Sequence, residues 1–270
     1  EFKALIKKYG LTKTFPKPVR DELKKLEDDG RFEITEEEIK KRRDLRNELI
    51  FTIDPVDAKD FDDAISLDRL KNGNYRLGVH IADVSHYVTE GSALDEEALA
   101  RGTSVYLMND VVPMLPEKLS NDICSLREKV DRLVFSCFME INGSGEILKY
   151  EVCKSVINSK KRFTYEEVQA ILDKQEGPFL DKLNEMNELH RILFKKRLDE
   201  GSLDFESTEV KAEIVDGLIK SIKPKERLES MRLIEDFMLA ANMCVTLFAV
   251  KRKPIPPFIF RIHDLPDKKR

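Results

Sequence analysis

Residues 51–65 read Phe51-Thr-Ile-Asp54-Pro-Val-Asp57-Ala-Lys-Asp60-Phe-Asp62-Asp63-Ala-Ile65, and the rest of the chain is organised around them. Five carboxylates fall within ten residues, and the single cation among them is Lys59. Apolar, β-prone residues stand on both sides of the acids, which is typical of strands that enter a core rather than of a solvated acidic loop. We therefore expect the carboxylates to lie close together at the edge of a sheet.

Carboxylates held this close repel one another. Two unit charges about 5 Å apart repel by roughly 3 kcal/mol at an effective dielectric constant of about 20. Protons or divalent cations must neutralise such a cluster, and hard oxygen ligands suit Mg²⁺ or Mn²⁺. Paired metal ions activate water for attack on phosphorus. The stretch therefore predicts a metal site for phosphodiester hydrolysis, with Asp57 as a structural turn residue and these ligands: Asp54, Asp60, Asp62 and Asp63.

Other uses of an acidic stretch fit the residues less well. An EF-hand that started at Asp60 would have Ile65 where the calcium loop needs glycine, so that loop is excluded. Zinc is disfavoured because no His or Cys ligands stand nearby at coordinating spacing. The chain has no glycine-rich phosphate loop and no G-x-S-x-G motif. A solvated acidic turn remains the alternative interpretation, and the apolar flanks disfavour it.

The composition of the chain is that of a globular, charge-rich protein. The 270 residues, 41% hydrophobic and 36% charged, suffice for one large domain or for one with a small companion. A net charge of −4 gives no global attraction to nucleic acid, so an RNA enzyme would depend on local basic runs. Such runs are equally compatible with solvated surfaces, and they are Lys160-Lys-Arg162, Lys195-Lys-Arg197, Lys251-Arg-Lys253 and Lys268-Lys-Arg270.

The cysteines and the hydropathy pattern bear on the location of the protein. The four cysteines are widely spaced and form no C-x-x-C pair, which predicts reduced, mostly buried thiols in a cytoplasmic protein. No run approaches 18 consecutive apolar residues, so we expect no membrane partner.

Turn signals and periodicity predict an α+β fold with a mainly antiparallel sheet, because hairpins dominate and no β-α-β alternation is clean. Residues 1–47 are predicted to be a helical, charged connector. The predicted strands are 49–53, 64–70, 75–84, 103–108, 133–141, 146–157, 211–215, 218–222 and a buried final strand at 258–262. The predicted helices are 93–101, 117–124, 165–173, 179–200 and 227–251.

Five motifs, in this order along the chain, resemble those of the ribonuclease II/ribonuclease R family of exoribonucleases. They are Ile53-Asp-Pro-Val-Asp-Ala-Lys-Asp-Phe-Asp-Asp-Ala64, Ile81-Ala-Asp-Val-Ser85, Arg101-Gly-Thr-Ser-Val-Tyr106, Pro113-Met-Leu-Pro-Glu-Lys-Leu-Ser-Asn-Asp-Ile-Cys-Ser-Leu126 and Phe260-Arg-Ile-His-Asp264. The resemblance covers residues 44–264 and is closer to ribonuclease R than to ribonuclease II. It implies an RNB-type catalytic core and processive, Mg²⁺-dependent 3′→5′ hydrolysis of single-stranded RNA, releasing nucleoside 5′-monophosphates, with Mn²⁺ as a second candidate metal.

The same resemblance implies a role for each acid of the cluster. Asp54 and Asp63 correspond to the main metal ligands of the family. Asp62 corresponds to the acid most critical for cleavage, and Asp60 supports the cluster as a further ligand.

Three more positions correspond to residues that contact RNA in the family. Tyr106 corresponds to the aromatic residue that positions the RNA 3′ end, and Phe205 to the one that closes the terminal stack of bases. Glu235 corresponds to a residue that contacts the terminal nucleotide. Stacking on an aromatic face is worth about 1–3 kcal/mol per base and tolerates any sequence. Without the resemblance, core packing would be the preferred interpretation of both aromatic residues.

The chain also departs from the family pattern. The family's catalytic domain continues through a Ser-Pro-Ile-Arg-Arg-Tyr segment, whose arginine stabilises charge at the scissile phosphate, and this segment is absent here. We therefore interpret residues 48–270 as the N-terminal part of that domain and residues 1–47 as the connector from an upstream oligonucleotide-binding barrel. We expect a monomer that needs no cofactor beyond the metal and that has weak or no exonuclease activity on its own.

Two alternatives remain open at this point. The first is a non-catalytic RNA-binding or scaffold module in which the acids serve only structure. The second is a nuclease that acts on DNA or on a particular nucleic-acid structure with the same acids. Magnesium-dependent release of mononucleotides distinguishes the first from an exoribonuclease, and a deoxynucleotide at the cleaved position distinguishes the second.

Overall fold

The computed structural model describes residues 6–107, 110–203, 210–215, 218–224 and 227–260. Its helices are α1 (Lys17–Asp28), α2 (Glu36–Lys40), α3 (Ala93–Arg101), α4 (Tyr165–Lys174), α5 (Leu180–Asp199) and α6 (Glu229–Val250). Its strands are β1 (Arg43–Asp44), β2 (Phe51–Asp54), β3 (Asp63–Arg69), β4 (Tyr75–Ala82), β5 (Val105–Leu107), β6 (Asp110–Val112), β7 (Asp131–Ile141), β8 (Ile147–Asn158), β9 (Lys161–Thr164), β10 (Val210–Val215) and β11 (Leu218–Pro224).

Seven strands form one sheet in the order β1-β8-β7-β4-β3-β2-β9. The four long strands in its middle pair antiparallel, whereas β1 pairs with β8 and β2 with β9 in parallel. Two further pairs, β5–β6 and β10–β11, are antiparallel and separate from this sheet. The predicted α+β class with a mainly antiparallel sheet is confirmed.

Local turn and cap signals account for most element boundaries. The β3–β4 hairpin turns through Gly73, whose φ of 83° is the left-handed conformation that glycine adopts at no steric cost. Thr164 and Glu167 form a complete capping box at the start of α4, which fixes the chain direction directly after β9. Ser92 accepts a hydrogen bond from the backbone of Asp95 and so caps α3.

The central sheet buries apolar residues on both faces. Because neighbouring residues of a strand point to opposite faces, Ala64 and Ile65 of β3 belong to different cores. Ile65 lies in the core that α4, α5 and α6 cover, where Phe237 of α6 is fully buried. Ala64 lies in the core on the other face, which also contains Val19 of α1.

Residues 6–47, which belong to the predicted connector, contribute side chains to the core. Val19 is 2% exposed and Leu45 is 3% exposed, and both pack into the second core. Arg42 adds a buried ion pair with Asp83, at 2.7 Å between Nη1 and Oδ2. The residues of this region therefore stabilise the sheet against which they pack. Its assignment as a connector to an upstream barrel stays a prediction.

Helix α6 is apolar around most of its circumference. It has the length and composition of a membrane span, with a mean hydropathy of 1.7 over its most apolar window, yet 44% of that window is buried inside the protein. A helix that is apolar all round is typical of a core as well as of a membrane. Its solvent-facing stripe consists of Leu239, Met243, Leu247 and Val250. The expected absence of a membrane partner stays a prediction.

Two predicted elements are corrected. The buried strand at 258–262 is wrong for its described part, because residues 258–260 are not in a strand and Ile259 is 96% exposed. The preceding prolines lack the N–H groups that a strand needs, so apolar character alone did not give pairing. The predicted helix at 117–124 is a π-helix, Leu119–Ile123.

Candidate active site

The four aspartates occupy the two ends and the interior of one loop. Asp54 is the last residue of β2, and Asp63 is the first residue of β3. We call residues 55–62, which join them and carry Asp60 and Asp62, the acidic loop. The four acids together are called the aspartate cluster. Since β2 and β3 are neighbours in the sheet, the two strand-end acids lie at the same sheet edge, as the sequence predicted.

Asp54 is buried without full compensation. Its side chain is 7% exposed, and its Oδ2 atom is buried without a hydrogen-bond partner. Burial, with the nearby charges of Asp63 and Asp62, raises the pKa of Asp54 to about 7, although the neighbouring Thr52 hydroxyl and the charge of Arg162 lower it. Burial, with the charge of Asp62, raises the pKa of Asp63 to about 6. An ionised carboxylate in such surroundings is costly unless a cation or proton offsets it.

The other two acids lie closer to solvent. The side chain of Asp62 is exposed, although the protein atoms around it and the charge of Asp60 raise its pKa. Asp60 accepts a hydrogen bond of 2.9 Å at Oδ2 from the phenol of Tyr106. Tyr106 leaves 66% of its surface exposed at the end of this bond. The structure therefore brings Tyr106 to the aspartate cluster, and the core-packing interpretation of this residue is wrong.

Ser125, which no sequence pattern marked as a site residue, holds the acidic loop. Ser125 is fully buried, and its hydroxyl donates to the carbonyl of Lys59 at 2.8 Å and accepts from the amide of Phe61 at 3.1 Å. Leu126 adds a backbone hydrogen bond to Phe61 at 2.8 Å. The one sequence signal for this role was that Ser125 lies within the fourth family motif, residues 113–126. The motif thus shapes the acidic loop without supplying an acid to the aspartate cluster.

Two further residues border the aspartates. Arg162 of β9 lies where its charge lowers the pKa of Asp54. Tyr165 opens α4, and burial together with the charges of Asp63 and Asp54 raises its pKa to about 12. In the sequence, Arg162 stands out only as part of a basic run, and no pattern points to Tyr165 as a site residue.

Of the two remaining predicted RNA contacts, Glu235 lies in the described part of the chain. The carboxylate of Glu235 in α6 lies 2.7 Å from Arg227 and 4.0 Å from Arg197, so the ion pairs of this residue in the described structure are with arginines. Phe205 lies outside the described residues, as do His263 and Asp264.

The donor set fits a hard divalent cation. It consists of carboxylate oxygens, and the buried oxygen of Asp54 lacks a partner that a cation would supply. As the side chains stand, the described part of the chain contains no group of three or more His, Cys, Asp or Glu residues that could hold a metal ion. The cluster therefore has suitable ligands, although in the described structure their side chains do not converge on one point.

Comparison with known proteins identifies the family. The family model described as RNB domain matches residues 42–270. The chain belongs to the RNB family. Ribonuclease R of Thermotoga maritima is 52% identical over 234 residues, which cover 84% of this chain and 32% of that protein. The resemblance stated from the motifs is thereby confirmed.

Solved structures show the same RNB fold. Ribonuclease R of Mycoplasma genitalium, in complex with ribose-methylated single-stranded RNA, matches 93% of this chain with a TM-score of 0.85 and 28% identity. The match covers 39% of that chain. Yeast Ssd1, described as a pseudonuclease, shares the fold with a TM-score of 0.67 over 82% of this chain, at 19% identity. This match covers 28% of the Ssd1 chain.

This chain spans about a third of the length of the curated RNB relatives that it matches, 32% for two ribonuclease R sequences.

Proposed function

We propose that the chain carries the metal-binding half of an exoribonuclease site that hydrolyses single-stranded RNA from its 3′ end and releases nucleoside 5′-monophosphates. The observation that carries the proposal is that Asp54 is buried beside Asp63 with one carboxylate oxygen unpartnered. In the adjoining acidic loop, Asp60 accepts a hydrogen bond from the exposed Tyr106. We further propose that this exoribonuclease is processive, cytoplasmic and monomeric. In it, residues 1–47 are a connector and residues 48–270 are the N-terminal part of the RNB catalytic domain.

Each member of the cluster has a proposed task. Asp54 and Asp63, fixed on adjacent strands, would hold Mg²⁺, or Mn²⁺ in its place. Asp60 and Asp62 would complete the ligand set from the acidic loop. Bound divalent metal supplies a Lewis acid and a water molecule of lowered pKa for attack on the phosphodiester. The residues of this chain would place the metal site at the sheet edge, where RNA can reach it from solvent.

The aromatic residues serve the substrate in this proposal. Tyr106 offers an exposed ring for stacking on a base, while its hydroxyl remains tied to Asp60 at 2.9 Å. The bond fixes the ring relative to the cluster, so a stacked nucleotide is placed relative to the metal. Phe205 and Glu235 remain proposed contacts of the terminal nucleotides.

The experiment uses single-stranded RNA with a fluorophore at its 5′ end and excess protein in Mg²⁺. The expected result is slow conversion of full-length RNA into a short 5′-labelled end product with few intermediates, together with release of nucleoside 5′-monophosphates. EDTA and Asp62→Asn should abolish this conversion, while Asp57→Asn, at an exposed position of the same loop, should leave it unchanged. Activity that survives Asp62→Asn would contradict the assignment of the site. Fast turnover would contradict the expected need for further polypeptide.

The alternative is a non-catalytic RNA-binding or scaffold module. Its support is the fold likeness to a pseudonuclease, which shows that this fold alone does not decide activity. The buried acids argue against it, because a purely structural loop gains nothing from an unpartnered buried carboxylate. RNA binding without any metal-dependent nucleotide release would favour this alternative.

A further inference from the structure

Arg162 lies beside the aspartate cluster because of the parallel pairing between β2 and β9. In this pairing Thr52 stands opposite Arg162, and Asp54 stands opposite Thr164. The side chain of Arg162 thus starts two residues before the level of Asp54 on the neighbouring strand.

The guanidinium of Arg162 contacts both ends of the acidic loop. Its Nη2 donates to the carbonyl of Pro55 at 2.6 Å and to that of Val56 at 3.2 Å. Its central carbon lies 5.3 Å from the centroid of the Phe61 ring, within the range of a cation–π interaction. One planar group therefore joins the start of the loop to the residue just before Asp62. Ser125 holds the loop from a different segment of the chain.

The guanidinium also places a positive charge beside the aspartate cluster, because the carbonyl of Pro55 that it contacts belongs to the residue directly after Asp54. Opposite charges this close attract one another.

We propose that Arg162 is a positioning residue of the aspartate cluster. It holds the acidic loop, which carries Asp60 and Asp62, in one conformation beside the strand-end acids, and it places a positive charge next to them. This role rests on the proposed function, since it concerns the same metal site.

The test compares Arg162→Met, Arg162→Lys and the control Lys161→Met. Lys161 is the neighbouring residue of β9 and lies over the ring of Phe163 at 5.6 Å. Two readouts are used: the Mn²⁺ dissociation constant from calorimetric titration, and hydrogen exchange of the amides of residues 56–62 in metal-free protein. Circular dichroism and the thermal midpoint verify that each variant is folded.

Arg162→Met is expected to weaken Mn²⁺ binding at least tenfold and to speed exchange in the loop by a similar factor. Arg162→Lys should recover part of the Mn²⁺ affinity, because it restores the charge, and little of the protection, because a single ammonium cannot reproduce the planar contacts. Lys161→Met should stay within twofold of the wild type in both readouts.

A folded Arg162→Met protein with wild-type Mn²⁺ affinity would overturn the inference. Should this variant fail to fold, Arg162→Lys decides, and unchanged loop exchange in it would overturn the inference equally. Absence of Mn²⁺ binding by the wild type, with Asp54→Asn indistinguishable from it, would instead overturn the proposed function. The two failures are thus separate.

Discussion

The phenol of Tyr106 donates a hydrogen bond of 2.9 Å to Oδ2 of Asp60, although 66% of the tyrosine surface is exposed. Partial burial and this bond raise the pKa of Tyr106 to about 12, so the hydroxyl remains a donor at neutral pH. In the proposed function, this exposed ring contacts the substrate while an acid of the cluster holds its hydroxyl. The two halves of this side chain can be tested separately.

Replacing Tyr106 separates stacking from hydrogen bonding. Tyr106→Ala is expected to weaken binding of single-stranded RNA by about 1–3 kcal/mol, the usual value of one stacked base. Tyr106→Phe keeps the ring and should stay near the wild-type affinity. Fluorescence anisotropy with a labelled oligonucleotide measures both. Tyr9→Ala is the control, because Tyr9 is also 66% exposed but lies in the N-terminal region. Equal losses in Phe and Ala variants would assign the effect to the hydroxyl.

Asp54→Asn is expected to stabilise the metal-free protein at pH 8. The wild-type carboxylate is ionised there in a site where it is 7% exposed and has an unpartnered oxygen, while the amide carries no charge. The gain should be on the order of a few kcal/mol in the free energy of unfolding, because the amide removes a buried charge, and each unit of pKa shift corresponds to about 1.4 kcal/mol. Urea unfolding in EDTA measures it.

The control for this change is Asp57→Asn, which alters an exposed acid of the same loop and should leave the free energy of unfolding unchanged. Excess Mn²⁺ should stabilise the wild type and leave Asp54→Asn unaffected, because a ligand that binds only the folded state adds to its stability. A loss of stability in metal-free Asp54→Asn would show that the carboxylate has compensating partners.

His80 predicts a pH dependence of stability. It is fully buried between Ser66 (3.0 Å) and Ser136 (2.7 Å), and burial, with the charge of Arg76, lowers its pKa to about 3. The unfolded chain takes up this proton near pH 6.5, so the contribution to stability is complete above pH 6.5 and is lost as the pH falls towards 3. The slope contributed approaches about 1.4 kcal/mol per pH unit.

Urea unfolding of wild type and His80→Gln at pH 7, 5.5 and 4.5 tests this. The wild type should lose more stability on acidification than the variant does, since carboxylates common to both cancel in the difference. Parallel pH profiles would show that His80 is protonated in the folded protein.

Gly78 is expected to tolerate no side chain. A Cβ atom there would lie 2.4 Å from Ser66 Oγ, 3.0 Å from His80 Nε2 and 3.1 Å from a ring carbon of Phe138. Gly78→Ala should cost about 1–3 kcal/mol, the usual range for overpacking in a core. Gly143→Ala is the control, because a Cβ atom at Gly143 meets nothing within 4 Å. Thermal unfolding of both variants measures the difference, and equal midpoints would contradict the close packing.

The sequence predicted the features that depend on neighbouring residues. The hairpin at Gly73, the capping box at Thr164 and the grouping of the four aspartates each follow from residues a few positions apart. It did not predict β9, since four residues that include a basic run carry little strand signal. The roles of Ser125 and Arg162 depend on that strand and on a remote motif segment, so no local pattern could reveal them.

The apolar run at 258–260 was predicted to be a strand, and the structure contains no strand there. Phe258 and Ile259 have strand-like side chains, but a strand also needs a partner edge and backbone donors, which composition does not report. The helix before it was predicted correctly because its periodicity extends over 22 residues.

Pro55 and Arg162 are 107 residues apart in sequence, yet they are joined through a guanidinium. Closing so long a segment costs chain entropy before any contact repays it, so such pairings form late in folding. All four aspartates leave the ribosome long before β9 does. A nascent chain can therefore carry the complete set of acids while the residues between Asp63 and Lys161 are made and still have no site, until the strand that holds the loop has been synthesised.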